Sequence, residues 1–277
     1  MNKRILALFV FILVLLALTG CAQADVVWEE DFSSTSHWKT DDDGHVFCSE
    51  IPVLPQDMIF SSVEVDTPAG DNSAAVLVAN PQSKEGLFVN GIAHREFELQ
   101  DQSTYVLTGL TAPVADTQIE IMDASIEVVV DGVGHYGELL YRLNPYMVTP
   151  LPGDVATYGW IYTRQGVKYE PVMLYNAGDE RIWHSFAIQI SVDSTAGVFL
   201  IDRVGFDGRT FLVDVEMPSE AKPAGYADVA QVFLETHNMN TNCDTANVFR
   251  GASLWDDLTL VRYPLGQAPE ELRMPVP

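Results

Sequence analysis

The 277-residue chain has no long stretch of helical periodicity. It has few cysteines, few cations, and none of the short signatures that mark common catalytic centres. No Gly-x-Ser-x-Gly elbow, no His-Glu-x-x-His pair and no phosphate loop occurs. Lys and Arg number 15 against 39 Asp and Glu, a formal charge of −24. A chain so poor in cations repels phosphate backbones, which excludes nucleic acid as a partner class, and it repels anionic lipid headgroups. Much of this charge serves solubility. The six histidines, His37, His45, His94, His135, His184 and His237, are scattered and show no metal-ligand spacing. No apolar run is long enough to cross a bilayer as a helix. The longest, Ile5 to Leu18, has 14 residues against the roughly 20 required.

That run does carry information. Lys3 and Arg4 precede it and Leu18-Thr19-Gly20-Cys21 closes it, the basic-apolar-small order of a secretion signal. Leu-Thr-Gly-Cys resembles the lipobox of bacterial lipoproteins. The resemblance implies cleavage of residues 1–20, acylation of Cys21, and an extracytoplasmic protein held to the bacterial membrane by lipid. Each buried acyl CH₂ contributes about 0.8 kcal/mol, so two or more chains hold firmly. An ordinary cleaved signal and an uncleaved anchor are the alternatives. Cleavage would leave 257 residues carrying a charge of −26.

Two cysteines remain, Cys48 and Cys243. In an oxidising compartment they are candidates for a disulfide. It would close a loop of about 195 residues, worth roughly 5 kcal/mol on the chain-entropy model. Two buried thiols are the alternative. Neither cysteine has a zinc-type neighbour.

The rest of the chain reads as short segments rich in Val, Ile, Phe, Tyr and Thr, separated by Gly, Pro, Asn and Asp. That pattern predicts an all-β, antiparallel sandwich. Strands are expected at Val26–Glu29, Ala74–Ala79, Gly91–Leu99, Thr104–Leu110, Ser125–Val130, Tyr158–Thr163, Ser185–Val192, Val198–Phe206, Val229–Thr236 and Ser253–Arg262. Phe186, Ile188, Ile190 and Val192 repeat with period two along one face. A tether of residues 21–25, one sandwich over 26–263 and a frayed tail over 264–277 complete the expected organisation, with a monomer as the assembly. Gly132 to Gly178 is rich in turn signals and reads as long loops around one or two strands. Gly197 to Phe206 and Gly251 to Leu260 echo each other: apolar residues, one acid, apolar residues.

The opening Trp28-Glu29-Glu30-Asp31-Phe32-Ser33 with Trp38, and the closing Leu254-Trp255-Asp256-Asp257-Leu258, resemble the first and last strands of bacterial jelly-roll sandwiches. Both carbohydrate-binding modules and laminin-G-like (concanavalin-like) domains share this look. Phe97 to Gln100 followed by Thr104-Tyr105 resembles the binding-module pattern. The resemblance implies a jelly roll, and a structural Ca²⁺ between acids of the terminal strands. Here those acids are Glu30, Asp31, Asp256 and Asp257, with carbonyl oxygens completing the shell. A solvated acidic edge is the alternative. Asp41-Asp42-Asp43-Gly44 with Glu50 fails as an EF-hand because Lys39 occupies its first position.

Tyr158, Trp160 and Tyr162 lie at period two, so one strand face would present three rings. An exposed strip of this kind stacks on sugar rings; buried, it is core. The expected function is non-catalytic binding of a polysaccharide. A structural or adhesive surface protein is the second reading, and a glycoside hydrolase of concanavalin-like fold the third. Glu120-Ile121-Met122-Asp123-Ala124-Ser125-Ile126-Glu127 invites the third, because it is similar to the E-x-D-x-x-E spacing of acids that laminarinase-type enzymes carry on one strand. On a strand, Glu120 and Asp123 fall on opposite faces, so that motif is not met.

Overall fold

The structure, a computed structural model, describes residues 24–40, 51–87, 89–115, 117, 119, 121–143, 159–178, 182–238 and 250–277. Cys21, Cys48, Cys243, Glu120 and Tyr158 lie outside the described residues, and so does the expected disulfide.

The described chain is all-β. In order come β1 (Asp25–Glu30), β2 (Lys39–Thr40), β3 (Met58–Glu64), β4 (Ser73–Ala79), β5 (Asn90–Phe97) and β6 (Ser103–Pro113). Then follow β7 (Ile121–Val130), β8 (Val133–Arg142), β9 (Trp160–Gln165), β10 (Glu170–Asn176) and β11 (His184–Asp193). The last five are β12 (Val198–Phe206), β13 (Arg209–Glu216), β14 (Ser219–Ala221), β15 (Val229–His237) and β16 (Gly251–Pro264). Two antiparallel sheets pack into a jelly-roll sandwich. One runs β13-β12-β11-β6-β16-β4-β3, with β1 also on β16; the other runs β10-β9-β8-β7-β15-β5-β2, with β14 on β8.

All ten expected strands exist, seven of them longer by one to four residues. The segment Gly132 to Gly178, read as loops around one or two strands, holds β8, β9 and β10. Its Gly and Tyr content hid the alternation of β8, where Leu139 and Tyr141 face the core and Tyr136, Glu138 and Leu140 face away. β3 and β13 also went unread. β13 is half-exposed and flanks the sheet, so its apolar set is thin.

The core lies between the sheets. Met122, Ala124, Ile126 and Val128 of β7 meet Phe186, Ile188, Ile190 and Val192 of β11 within one buried cluster that also contains Trp28 and Trp255. The first and last strands are neighbours: β1 pairs with β16 from Asp25↔Arg262 to Glu30↔Leu258. β16 serves two partners on that side, β4 along Gly251–Trp255 and β1 along Leu258–Arg262. Between these halves the register slips at Asp256 and Thr259, and Asp257 takes a left-handed φ of 49°. This bulge lets both Trp255 and Leu258 point inward although they are three residues apart; strict alternation would send Leu258 and Leu260 outward.

One correction concerns the C-terminal end. The segment after Pro264 is not frayed: Leu272 is 6 % exposed and packs with Val106 and Ala187 on the outer face of the first sheet. The echoing segments became β12 and β16, which share that sheet but are not adjacent.

Trp255 fixes the centre of the core, edge-on to Phe186 with ring centroids 5.8 Å apart, and its Nε1 donates to Ser253 Oγ. Trp255→Ala should cost about 3–5 kcal/mol, the range for deleting a large buried ring. Leu212→Ala, at a position 72 % exposed, should stay within about 0.5 kcal/mol of the parent. Urea titration followed by tryptophan fluorescence reads both; equal effects would show that the core does not centre on Trp255.

Candidate functional site

The outer face of the second sheet is not an open, solvated surface. Alternation sends Asp123, Ser125 and Glu127 of β7 away from the core, where all three are nevertheless buried. Their strand neighbours set the spacing. Glu127 stands opposite Gln231 of β15 and Tyr136 of β8; Ser125 stands opposite Phe233 and Glu138; Asp123 stands opposite Glu235 and Leu140. Arg164 reaches in from β9, Tyr169 from the turn after it, and Lys222 and Tyr226 from the chain that follows β14. Together they line a cleft of about 450 Å³.

Each charged group has a distinct environment. Glu127 is clamped: Lys222 Nζ lies 2.8 Å from Oε1, and Gln231 Nε2 donates to Oε2 at 2.6 Å. Two such donors fix the position of the side chain, and the contact with Lys222 is charge-assisted. Lys222 also contacts Glu220 Oε1 at 3.2 Å and hydrogen bonds with the Tyr136 hydroxyl. Burial pulls the Lys222 ammonium down, but Glu127 and Glu220 outweigh it and the net shift is upward. Tyr136 donates to Glu220 Oε1 at 2.8 Å; burial, then the charge of Glu127, push its phenol up, so it stays protonated.

Glu138 is treated differently. Its Oε2 lies 3.6 Å from Arg164 Nε, too far for a firm hydrogen bond. Burial dominates and, with the charges of Glu235 and Glu220, raises this carboxyl to about 7 despite Arg164. Asp123 is also raised, by burial and then by Glu138 and Glu235. Arg164 is itself half-hidden; burial lowers its pKa, yet Glu138 and Asp123 return more than that and hold it charged. One face of one sheet thus holds a carboxyl clamped by two donors beside one whose pKa burial raises to about 7.

The residues expected from the sequence fare unevenly. Trp160 and Tyr162 do sit on the cleft side of β9, but Tyr162 is 2 % exposed and packs with Ile121, Leu140 and Met173. Of the two described rings, Trp160 is half-buried and Tyr162 is closed off. Asp256 and Asp257 come together with Asp71 as a charged neighbour, and both oxygens of the buried Asp256 carboxyl have no hydrogen-bond partner. Glu30 and Asp31 are engaged elsewhere. Arg95 Nη1 and Trp38 Nε1 hold Glu30, and Asp31 accepts from the Ser33 backbone N–H, which lowers its pKa.

The cleft acids were missed for a reason that parity explains. Comparing Glu120 with Asp123 puts the two on opposite faces, but Asp123 and Glu127, four apart, share one. Their partners Glu138 and Glu235 come from strands distant in sequence. The signal available was the same alternation in Glu235-Thr236-His237 and Tyr136-Gly137-Glu138.

No protein-family model matches the chain, and no curated protein matches it. Solved structures are similar in architecture. An endo-β-1,4-glucuronan lyase from the fungus Trichoderma reesei is 10 % identical, with 85 % of this chain and 95 % of that chain covered and a TM-score of 0.48. A laminarinase from Flavobacterium sp. UMI-01 is 12 % identical over 86 % and 100 % of the two chains, with a TM-score of 0.45. The alginate lyase Aly36B is 9 % identical over 72 % and 86 %, with a TM-score of 0.44. These are enzymes that cleave polysaccharides, and the likeness is one of strand arrangement. The expectation of an open platform of rings for non-catalytic glycan binding is therefore corrected at Tyr162: its ring is buried, and a cleft lined by Asp123, Glu127, Glu138 and Glu235 occupies that face.

Proposed function

We propose that this protein is a glycan-cleaving enzyme, specifically a glycoside hydrolase working in the cleft on the second sheet. The observation that carries this reading is the pair Glu127 and Glu138. They lie on adjacent strands and diagonally across the pairing, a relation that places side chains roughly 7–8 Å apart. Glycoside hydrolysis needs one protonated carboxyl to give a proton to the departing oxygen and one carboxylate to attack, or to activate water. Glu138, half-buried and raised to about 7, is the proton donor. Glu127, held by Lys222 and Gln231, is the carboxylate. Tyr136, Tyr169 and Tyr226 give the walls apolar faces with hydroxyl tips, suited to sugar rings. Asp123, Glu127, Glu138, Glu220 and Glu235 outnumber Arg164 and Lys222, which favours a neutral glycan over a polyuronate.

Two further elements belong to the reading. Cys21 carries the lipid that holds the enzyme at the outer side of the bacterial membrane, supported by the Leu-Thr-Gly-Cys motif. A calcium ion sits at Asp256, with Asp257 and Asp71 beside it, supported by two buried carboxyl oxygens without a partner.

Glu138→Gln and Glu127→Gln should each lower kcat/KM on a neutral β-glucan such as laminarin by about 10²–10⁴-fold, the span of a lost acid or base. Activity should fall as pH rises past about 7, because Glu138 must keep its proton, and Glu138→Gln should lose that limb. New reducing ends without an ultraviolet-absorbing double bond mark hydrolysis; cleavage confined to alginate with unsaturated ends, or full activity in both variants, would refute the assignment. Fatty-acid labelling should mark the parent chain and not Cys21→Ser, which should leave the membrane fraction; retention there refutes the lipid anchor. A chelator should lower the melting temperature of the parent and leave that of Asp256→Asn unchanged; no shift in the parent argues against the ion.

A further inference from the structure

We propose that Asp123, Glu235 and His237 form a site for one divalent transition-metal ion of the zinc class at one end of the cleft. The two strands that build it are β7 and β15, and their register sets Asp123 directly opposite Glu235. Like charges facing each other across a strand pair destabilise the sheet unless something neutralises them. His237 lies two residues beyond Glu235, so its ring emerges on the same face. One ligand atom from each of the three side chains lies within 4.8 Å of the other two.

The site has the marks of an incomplete polar arrangement. Asp123 is 6 % exposed, and its Oδ1 has no hydrogen-bond partner among the described residues. His237 Nε2 also lacks a hydrogen-bond partner and stands 3.3 Å from Glu235 Oε2. A buried carboxyl oxygen left unpaired costs its full desolvation, which a cation would offset. Asn90 Nδ2 approaches Glu235 Oε2 at 3.5 Å, and the residue after His237, Asn238, is pinned to the backbone of Val89 and Leu87. These neighbours orient the ligands from behind, as outer-shell groups do in metal sites.

The donor set selects the metal. One imidazole nitrogen with two carboxylate oxygens suits zinc or its first-row neighbours, whereas calcium and magnesium take oxygen alone. A bound ion draws nitrogen and oxygen ligands to about 2.0–2.2 Å, a small closure from the present separations. Three protein ligands leave a coordination position for water or a sugar hydroxyl on the cleft side. The site stands whether or not the cleft cleaves a glycan, because Glu127 and Glu138 are not among its ligands.

The test uses the full chain in detergent, stripped by chelator and titrated with Zn²⁺ in a calorimeter. One equivalent should bind to the parent and to Asp256→Asn, and should be lost in Asp123→Asn and in His237→Gln. Circular dichroism of each variant reports folding. Should a ligand variant fail to fold, zinc-edge absorption of the loaded parent decides instead: it should show nitrogen and oxygen neighbours with imidazole scattering. No zinc bound to the parent, undiminished binding in folded Asp123→Asn and His237→Gln, or a sulfur shell from Cys48 and Cys243 would each overturn the proposal.

Discussion

The pairing of β7 with β8 on one side and β15 on the other decides where every charge in the cleft stands. A one-residue slip of β7 would send Asp123, Ser125 and Glu127 into the core and bring Met122, Ala124, Ile126 and Val128 out. Burying those four side chains is worth several kcal/mol, each contributing on the order of 1–3. The apolar face therefore locks the polar one. Chemistry on the outer face is positioned by packing on the inner face.

That arrangement has a cost. Ionised groups withdrawn from water lose several kcal/mol of solvation apiece, and pairing returns only part of it. Glu127 recovers much through Lys222 and Gln231. Glu138, with Arg164 at 3.6 Å, recovers less and keeps its proton to about 7. Asp123 recovers least, facing Glu235 across the pairing. A sandwich selected for stability alone would fill this face with apolar side chains or open it to water. Concentrating partly compensated charge in one cleft is the pattern of a site whose groups are held ready for a ligand or a reaction.

The terminal strands follow the same economy of register. β16 exchanges β4 for β1 along its length, and the bulge at Asp256 and Asp257 keeps Trp255 and Leu258 on one side through the exchange. The bulge also strands the Asp256 carboxyl in a buried position next to Asp257 and Asp71. The family resemblance put four acids together there. The structure keeps two of them and substitutes Asp71, because Glu30 is drawn away by Arg95 and Trp38.

Local alternation was sufficient to read the fold class, since β-branched and aromatic residues at period two with turn residues between them can bury their faces only as packed sheets. It located the first and last strands and ten strands in all, and it failed where glycine and tyrosine broke the pattern in β8 or where exposure thinned it in β13. The same alternation already fixed that Asp123 and Glu127 share a face. What it could not carry was their company. Glu138 and Arg164, Lys222, and Glu235 with His237 come from four other parts of the chain, and only the strand order β9-β8-β7-β15, with β14 on β8, sets them around β7. The burial of Tyr162 likewise comes from Ile121, Leu140 and Met173 around it, since a periodic sequence fixes the face a side chain takes but only the assembled tertiary neighbours fix its exposure and charge.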